Sequence, residues 1–425
     1  LTPLFDLVCS HVPPPTIEPD APFAMLATTL EADPYLGRLL TGRITAGSAR
    51  ANMPAKVLSR DGTLVEQGRI SKILAFRGLD RVPVEEAQAG DIVAIAGLAT
   101  ATVSDTICAP EVTLALAAHP IDPPTIAMTF SVNDSPLAGQ EGDKVTSRVI
   151  WDRLKREALG NVAIRIAESA EKDAFEVSGR GELQLAVLIE SMRREGFELS
   201  ISRPRVLYKV EGGERYEPIE EVVIDVDDAY SGVVVEKLGQ RRAELIDMRP
   251  AGTGKQRLVF LAPTRSTIGY HGEFLSDTRG TGVMNRLFHG DAPFKGMIAT
   301  RRTGTIVSRE LGTAVTYALF NLEERGALFV SPGERVYPGM IIGENSRESD
   351  LEVNPLRAKQ LTNFRAAGKD DNIVLTPPIK MTLEKALAYI ADDELVEVTP
   401  RSIRLRKRHL DPHARKREAR RSVDA

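Results

Sequence analysis

The chain has 425 residues, 42% of them hydrophobic and 27% charged, with a formal net charge of −4 and two cysteines. That length argues for roughly three or four domains rather than one core, and the composition is that of an ordinary folded chain. Cys9 and Cys108 give no disulfide framework, and there is neither a long apolar run nor a charged-then-apolar leader, which argues against membrane insertion and for a reducing, cytoplasmic setting.

Charge is unevenly spread. Residues 401–425 hold ten Arg or Lys against three Asp or Glu, leaving 45 basic and 56 acidic side chains in the other 400. A basic end on an acidic body is the electrostatic footprint of a polyanion-binding element, against the plainer reading of a solvated tail. A second basic, acid-free stretch, Arg357 to Lys369, tilts the choice toward nucleic acid.

Residues 1–16 carry Leu4, Phe5, Leu7, Val8 and Val12 ahead of the triple proline Pro13 to Pro15, and are expected to form a helix and linker left from another domain. Residues 17–118 are strand-like and turn-punctuated. Asp61-Gly62 between two apolar runs signals a hairpin, and evenly spaced short strands argue for a small β-barrel.

From 119 to 210 the period alternates between strand and helix. TIAMTFSVND, GDKVTSRVIWDRLKREAL, NVAIRIAE, AFEVSGRG, ELQLAVLIESMRREG and FELSISRPRVLY give the order βαββαβ of a ferredoxin-like unit. Residues 211–294 repeat that order, with a turn at Gly252 to Lys255 and a helix over STIGYHGEFLSDTRG.

Residues 295–425 form a mixed region with turns at Pro332-Gly333 and Pro338-Gly339 and a helix capped by Thr382. Asp392-Asp393-Glu394 is expected to be a solvated turn. SIRLRKR is expected to be a final strand, packing Ile403 and Leu405 and offering Arg404, Arg406 and Arg408. The fold class is therefore multidomain α+β: a β-barrel, two ferredoxin-like domains and a mixed C-terminal domain.

No catalytic constellation emerges. AGTGKQRL at Ala251 lacks the first glycine of a phosphate loop, since Arg249 stands there, and Gln256 replaces the hydroxyl that would reach Mg²⁺. GRGELQ at Gly179 and GTGVMN at Gly280 lack the third glycine of a dinucleotide fingerprint. His409 and His413 share a helical face, but their Arg and Lys neighbours disfavour a metal.

Several motifs carry a resemblance. GRITAG (Gly42 to Gly47) and AGDIVAIAGL (Ala89 to Leu98) are similar to the second domain of translational GTPases. GRGELQL (Gly179 to Leu185) and DAYSGVVVEKLGQRRAEL (from Asp228) resemble the third and fifth domains of elongation factor G. EFLSDTRGTGVMN, GERVYPGMIIGE, RAKQLTNFRAAGKDD and DDELVEVTPRSIRLRK resemble the TypA/BipA ribosome-binding GTPases, whose C-terminal domain is peculiar to them.

The resemblance implies binding to the 70S ribosome and its rRNA, with ribosome-bound tRNA a further candidate partner. It also implies help in large-subunit assembly under cold or other stress, and a monomer. It implies GTP and Mg²⁺ in an intact protein whose GTPase domain is represented here only by residues 1–12. The chain itself is then expected to be no enzyme and to hold no cofactor or metal. RNA contacts are expected at Arg357, Lys359, Thr362, Asn363, Arg365 and Lys369, in a loop mobile when free, and at Arg404, Arg406, Lys407, Arg408, Arg415, Lys416 and Arg417. The competing reading is a metabolite-binding regulatory protein with tandem ferredoxin-like domains.

Overall fold

The structure, a computed structural model, describes residues 1–14, 16–33, 35–78, 80–298, 301, 303–358 and 374–423. The chain is multidomain α+β and divides into two compact units, Leu1–Pro123 with Asp152–Arg165, and Pro124–Trp151 with Ile166–Ala425.

In the first unit a helix spans Thr2–His11 and buries none of its residues. An eight-stranded sheet follows, with Ala24–Asp33 paired antiparallel to both Gly37–Ala46 and Thr106–Cys108. Met25, Leu40, Ile44, Val57, Ile73, Val93, Ile95 and Ile107 fill its core, because alternate residues of each strand point inward. The hairpin at Asp61-Gly62 forms between Pro54–Leu58 and Leu64–Arg69, with Gly62 at φ +83° where a side chain would be strained.

The second unit is built on an eleven-stranded sheet. Along it run Arg165–Glu168, Ala174–Gly179, Ile126–Val132, Leu199–Ser202, Glu394–Val398, Ile403–Lys407, Met340–Asn345, Thr305–Ser308 and Leu351–Val353. The pairing of Leu199–Ser202 with Glu394–Val398 makes one sheet of two regions that the sequence reads as separate domains. A separate sheet orders Glu244–Pro250, Lys255–Pro263, Glu214–Asp227 and Val283–Pro293, backed by the helices Asp228–Gln240 and Tyr270–Asp277.

One expected helix is broken. STIGYHGEFLSDTRG forms two short helices, Thr264–Thr267 and Tyr270–Asp277, because Gly269 sits at φ +71° with Ala388 packed 2.9 Å from where a Cβ would stand. The near-match to a phosphate loop is the turn between Glu244–Pro250 and Lys255–Pro263. Thr382 caps the helix Leu383–Tyr389 by accepting from the Lys385 amide at 3.3 Å. No helix among the described residues is long and apolar enough to cross a membrane.

Candidate nucleic-acid interface

The Ile403–Lys407 strand forms where expected, but between two neighbours rather than at an edge. Its register sets its chemistry. Arg404 and Arg406 stand opposite Glu397 and Leu395 on one face, while Leu405 and Lys407 stand opposite Val396 and Glu394 on the other. Both faces are covered.

Over the first face lies the loop from Asn133 to Gly142. Glu198, with no exposed surface, holds it by accepting the amides of Gly139 at 2.7 Å, Glu141 at 3.0 Å and Gly142 at 2.7 Å. A Cβ on Gly142 would lie 2.7 Å from both Glu198 Cγ and the Gly196 carbonyl, so the cradle requires glycine there. The loop presents Glu141 to Arg404 and Asp134 to Arg406. Arg404 also donates to Glu397 at 3.2 Å, and Glu397 accepts from Asn133 at 3.0 Å, Ser135 at 2.8 Å and Tyr337 at 2.6 Å. Burial disfavours the charge on Arg404, but Glu397 and Glu141 outweigh it and raise its pKa.

On the second face Lys407 pairs with Asp350 at 2.6 Å, Asp393 at 2.9 Å and Glu394 at 2.9 Å. Arg301 forks onto Glu394 through contacts of 3.0 and 2.8 Å. Burial pushes the Glu394 carboxyl up, yet the Arg301 hydrogen bonds and the Lys407 charge hold it below its ordinary value. Burial would lower the Lys407 pKa, but its three carboxylates raise it instead.

The strand therefore corrects the sequence expectation. Arg406 and Lys407 are only 2% exposed, and Arg404 is half-buried, so these cations are spent on carboxylates and not offered to a polyanion. Of Asp392-Asp393-Glu394, the first two form the exposed turn expected, although Asp393 also pairs with Lys407, whereas Glu394 opens the next strand with no exposed surface. Arg408 is half-buried, pairs with Glu171 at 3.6 Å and donates to the Asp392 carbonyl at 3.0 Å.

The exposed cations lie further on. A helix spans Pro412–Val423, started by Asp411, whose carboxylate accepts the amides of His413 at 3.2 Å and Ala414 at 3.0 Å. Those amide hydrogen bonds lower the Asp411 pKa. Arg415 turns back to Glu352 at 2.7 Å and to the carbonyls of His409 and Leu410. Lys416, Arg417 and Arg420 are exposed.

Arg420, counted in the basic end but not among the expected RNA contacts, shares one helical face with Lys416 through i, i+4 spacing. Arg357 is exposed at the edge of the described chain. Lys359, Thr362, Asn363, Arg365 and Lys369 lie outside the described residues.

Residues 303–412 match the family model described as TypA/BipA C-terminal domain, 214–302 match Elongation factor G C-terminus, and 37–108 match Elongation factor Tu domain 2. A Haemophilus influenzae protein named Large ribosomal subunit assembly factor BipA is 49% identical over 418 residues, 98% of this chain and 68% of that protein. The chain belongs to the TypA/BipA family.

Proteins of the same name from Synechocystis sp. and Escherichia coli strain K12 are 48% and 46% identical, covering 96% and 100% of this chain and 68% and 70% of theirs. This membership overturns the expectation that the chain is no enzyme. That expectation set the chain apart from its family's chemistry, whereas TypA/BipA relatives align along 96–100% of it and the family is one of GTPases.

Proposed function

We propose that this TypA/BipA chain acts on the ribosome, assisting large-subunit assembly and translation under stress such as cold. The observation that carries the reading is identity of 46–49%, along nearly all of the chain, to proteins named as large ribosomal subunit assembly factors. GTP and Mg²⁺ are the cofactors that go with this family reading. The partners are the 70S ribosome and its rRNA, with ribosome-bound tRNA as a further one. The protein acts as a monomer in the cytoplasm.

The proposed domain plan is a helix and linker (1–16), a translation-factor β-barrel (17–118), two ferredoxin-like domains (119–210 and 211–294) and the family's own C-terminal domain (295–425). Strand order supports the ferredoxin-like pair. Counting strands in sequence within each region, both sheets run second, third, first, fourth.

The RNA contacts fall to the exposed cations Lys416, Arg417 and Arg357, with Lys359, Thr362, Asn363, Arg365 and Lys369 beside them in sequence. Phosphate contacts of this kind give affinity that falls with salt. Co-sedimentation of the chain with purified 70S particles and large-subunit precursors across a salt series tests the reading. Absence of the chain from every ribosomal pellet at low salt overturns it.

A further inference from the structure

We propose that a cleft in the C-terminal region takes one unstacked nucleotide of a single-stranded RNA segment, an inference that rests on the ribosome reading above. The cleft has a volume of about 460 Å³, inside the range of small-ligand sites. Apolar side chains underlie it: Leu137, Met340, Ile341 and Leu405 line it and are each no more than 3% exposed.

Phe329 and Met381 also line the cleft. The Phe329 ring is held edge-on against Tyr389, with centroids 5.3 Å apart and planes at 90°, so it cannot turn freely to close the space. The half-buried Phe329 and Met381 give an aromatic and a thioether surface that suits the face of a base, which stacks without regard to sequence.

The rim supplies the charge. Arg335, Lys380 and Arg401 line the cleft and are exposed. Among the described residues Arg335 meets only the amide oxygen of Gln140, and among them neither Lys380 nor Arg401 has a carboxylate within ion-pair distance. These differ in kind from Arg404, which also reaches the cleft but is committed to Glu141 and Glu397. Glu334 is the one lining carboxylate left without a cation among the described residues.

Among the described residues the rim therefore carries net positive charge, Arg335, Lys380 and Arg401 against Glu334, beside the half-buried Phe329 and Met381. A simple anion would gain nothing from those two side chains, and an apolar side chain nothing from the rim. A nucleotide within a chain uses both, with its base against Phe329 and Met381 and its flanking phosphates at Lys380, Arg401 and Arg335.

The test uses the full chain and a single-stranded RNA hexamer carrying 2-aminopurine at one central position, read by fluorescence and by titration. Two variants separate the parts: Lys380→Glu with Arg401→Glu reverses the rim, and Met381→Trp fills the cleft from a half-buried wall position. Each is expected to weaken binding roughly tenfold, the scale of one stacked base, and to abolish the fluorescence change. An abasic hexamer is expected to bind the unaltered chain about as weakly and to be indifferent to Met381→Trp.

Unchanged fluorescence and affinity in both variants overturn the cleft while leaving 70S co-sedimentation, and so the ribosome reading, standing. Loss of co-sedimentation in the unaltered chain, with the hexamer response intact, overturns the ribosome reading instead. Circular dichroism melting of each variant, expected to match the unaltered chain, guards against a folding defect.

Discussion

The Tyr337 hydroxyl donates to Glu397 Oε2 at 2.6 Å, and neither side chain has any exposed surface. The contact ties the apolar cluster around Leu319, Val336 and Ile342 to the charged face of the Ile403–Lys407 strand. Burial and the neighbouring Glu397 charge raise the Tyr337 pKa well above its ordinary value, so the phenol remains a donor at every working pH. The charges around it set local geometry more than they add net stability, because desolvation offsets most of the Coulomb gain.

Removing one partner at a time should separate those effects. Tyr337→Phe deletes one hydrogen bond to a charged group and is expected to destabilise by about 1.5–3 kcal/mol. Glu397→Ala strands Arg404 without one of its two carboxylates and should cost about 3–5 kcal/mol. Urea unfolding followed by tryptophan fluorescence and circular dichroism measures both. Equal losses in the two variants would contradict the assignment of Glu397 as the hub.

Two buried carboxylates should respond to pH in opposite senses. Glu394 is held below its ordinary 4.5, so its contribution is present above that value and lost as pH falls through the folded value. Glu220 is raised above 4.5 by burial, which Arg286 and the hydroxyls of Thr267 and Thr264 only partly oppose. Its contribution is full below 4.5 and lost as pH rises through the folded value. Glu220→Gln should therefore raise the melting temperature near about pH 7 and lose that advantage near about pH 4, while Glu394→Gln should lower it near neutrality. A Glu220→Gln variant that melts lower at both values refutes the sign.

The helical cations and the strand cations should behave differently. Replacing Lys416, Arg417 and Arg420 by Ala is expected to leave melting nearly unchanged. The slope of log K against log salt for ribosome binding should become shallower by about 2–3. Arg404→Ala should instead lower the melting temperature, because it leaves Glu397 and Glu141 without their guanidinium. Truncation before Pro412 should spare the sheet, whereas truncation at Pro400 removes a central strand. An Arg404→Ala chain with native melting and weak ribosome binding would restore the direct RNA role.

Gly42 should tolerate no side chain. A Cβ there would stand 2.0 Å from the Leu26 carbonyl oxygen, beside the bulge between Ala27 and Thr29 in the paired strand. Gly42→Ala is expected to destabilise the first unit by about 1–3 kcal/mol or more, read as an earlier thermal transition. A variant as stable as the parent would mean that the strand pair opens to admit a methyl group without loss.

Local chemistry made much of this protein legible from its sequence. Thr382 caps its helix, Asp61-Gly62 turns its hairpin and the SIRLRKR alternation makes a strand, because each depends on residues a few positions apart. The family motifs likewise lie in continuous stretches, so the TypA/BipA resemblance was readable. What the sequence left open was which face of each element meets what. Arg404 is 263 positions from Glu141, and Lys407 is 57 from Asp350, so no local pattern announces that these cations are already neutralised. Charge counting finds the basic end of the chain. Only the long-range pairing of Glu394–Val398 with Leu199–Ser202, and the loop that Glu198 holds over it, decides that Arg404, Arg406 and Lys407 are internal while Lys416 and Arg417 face water.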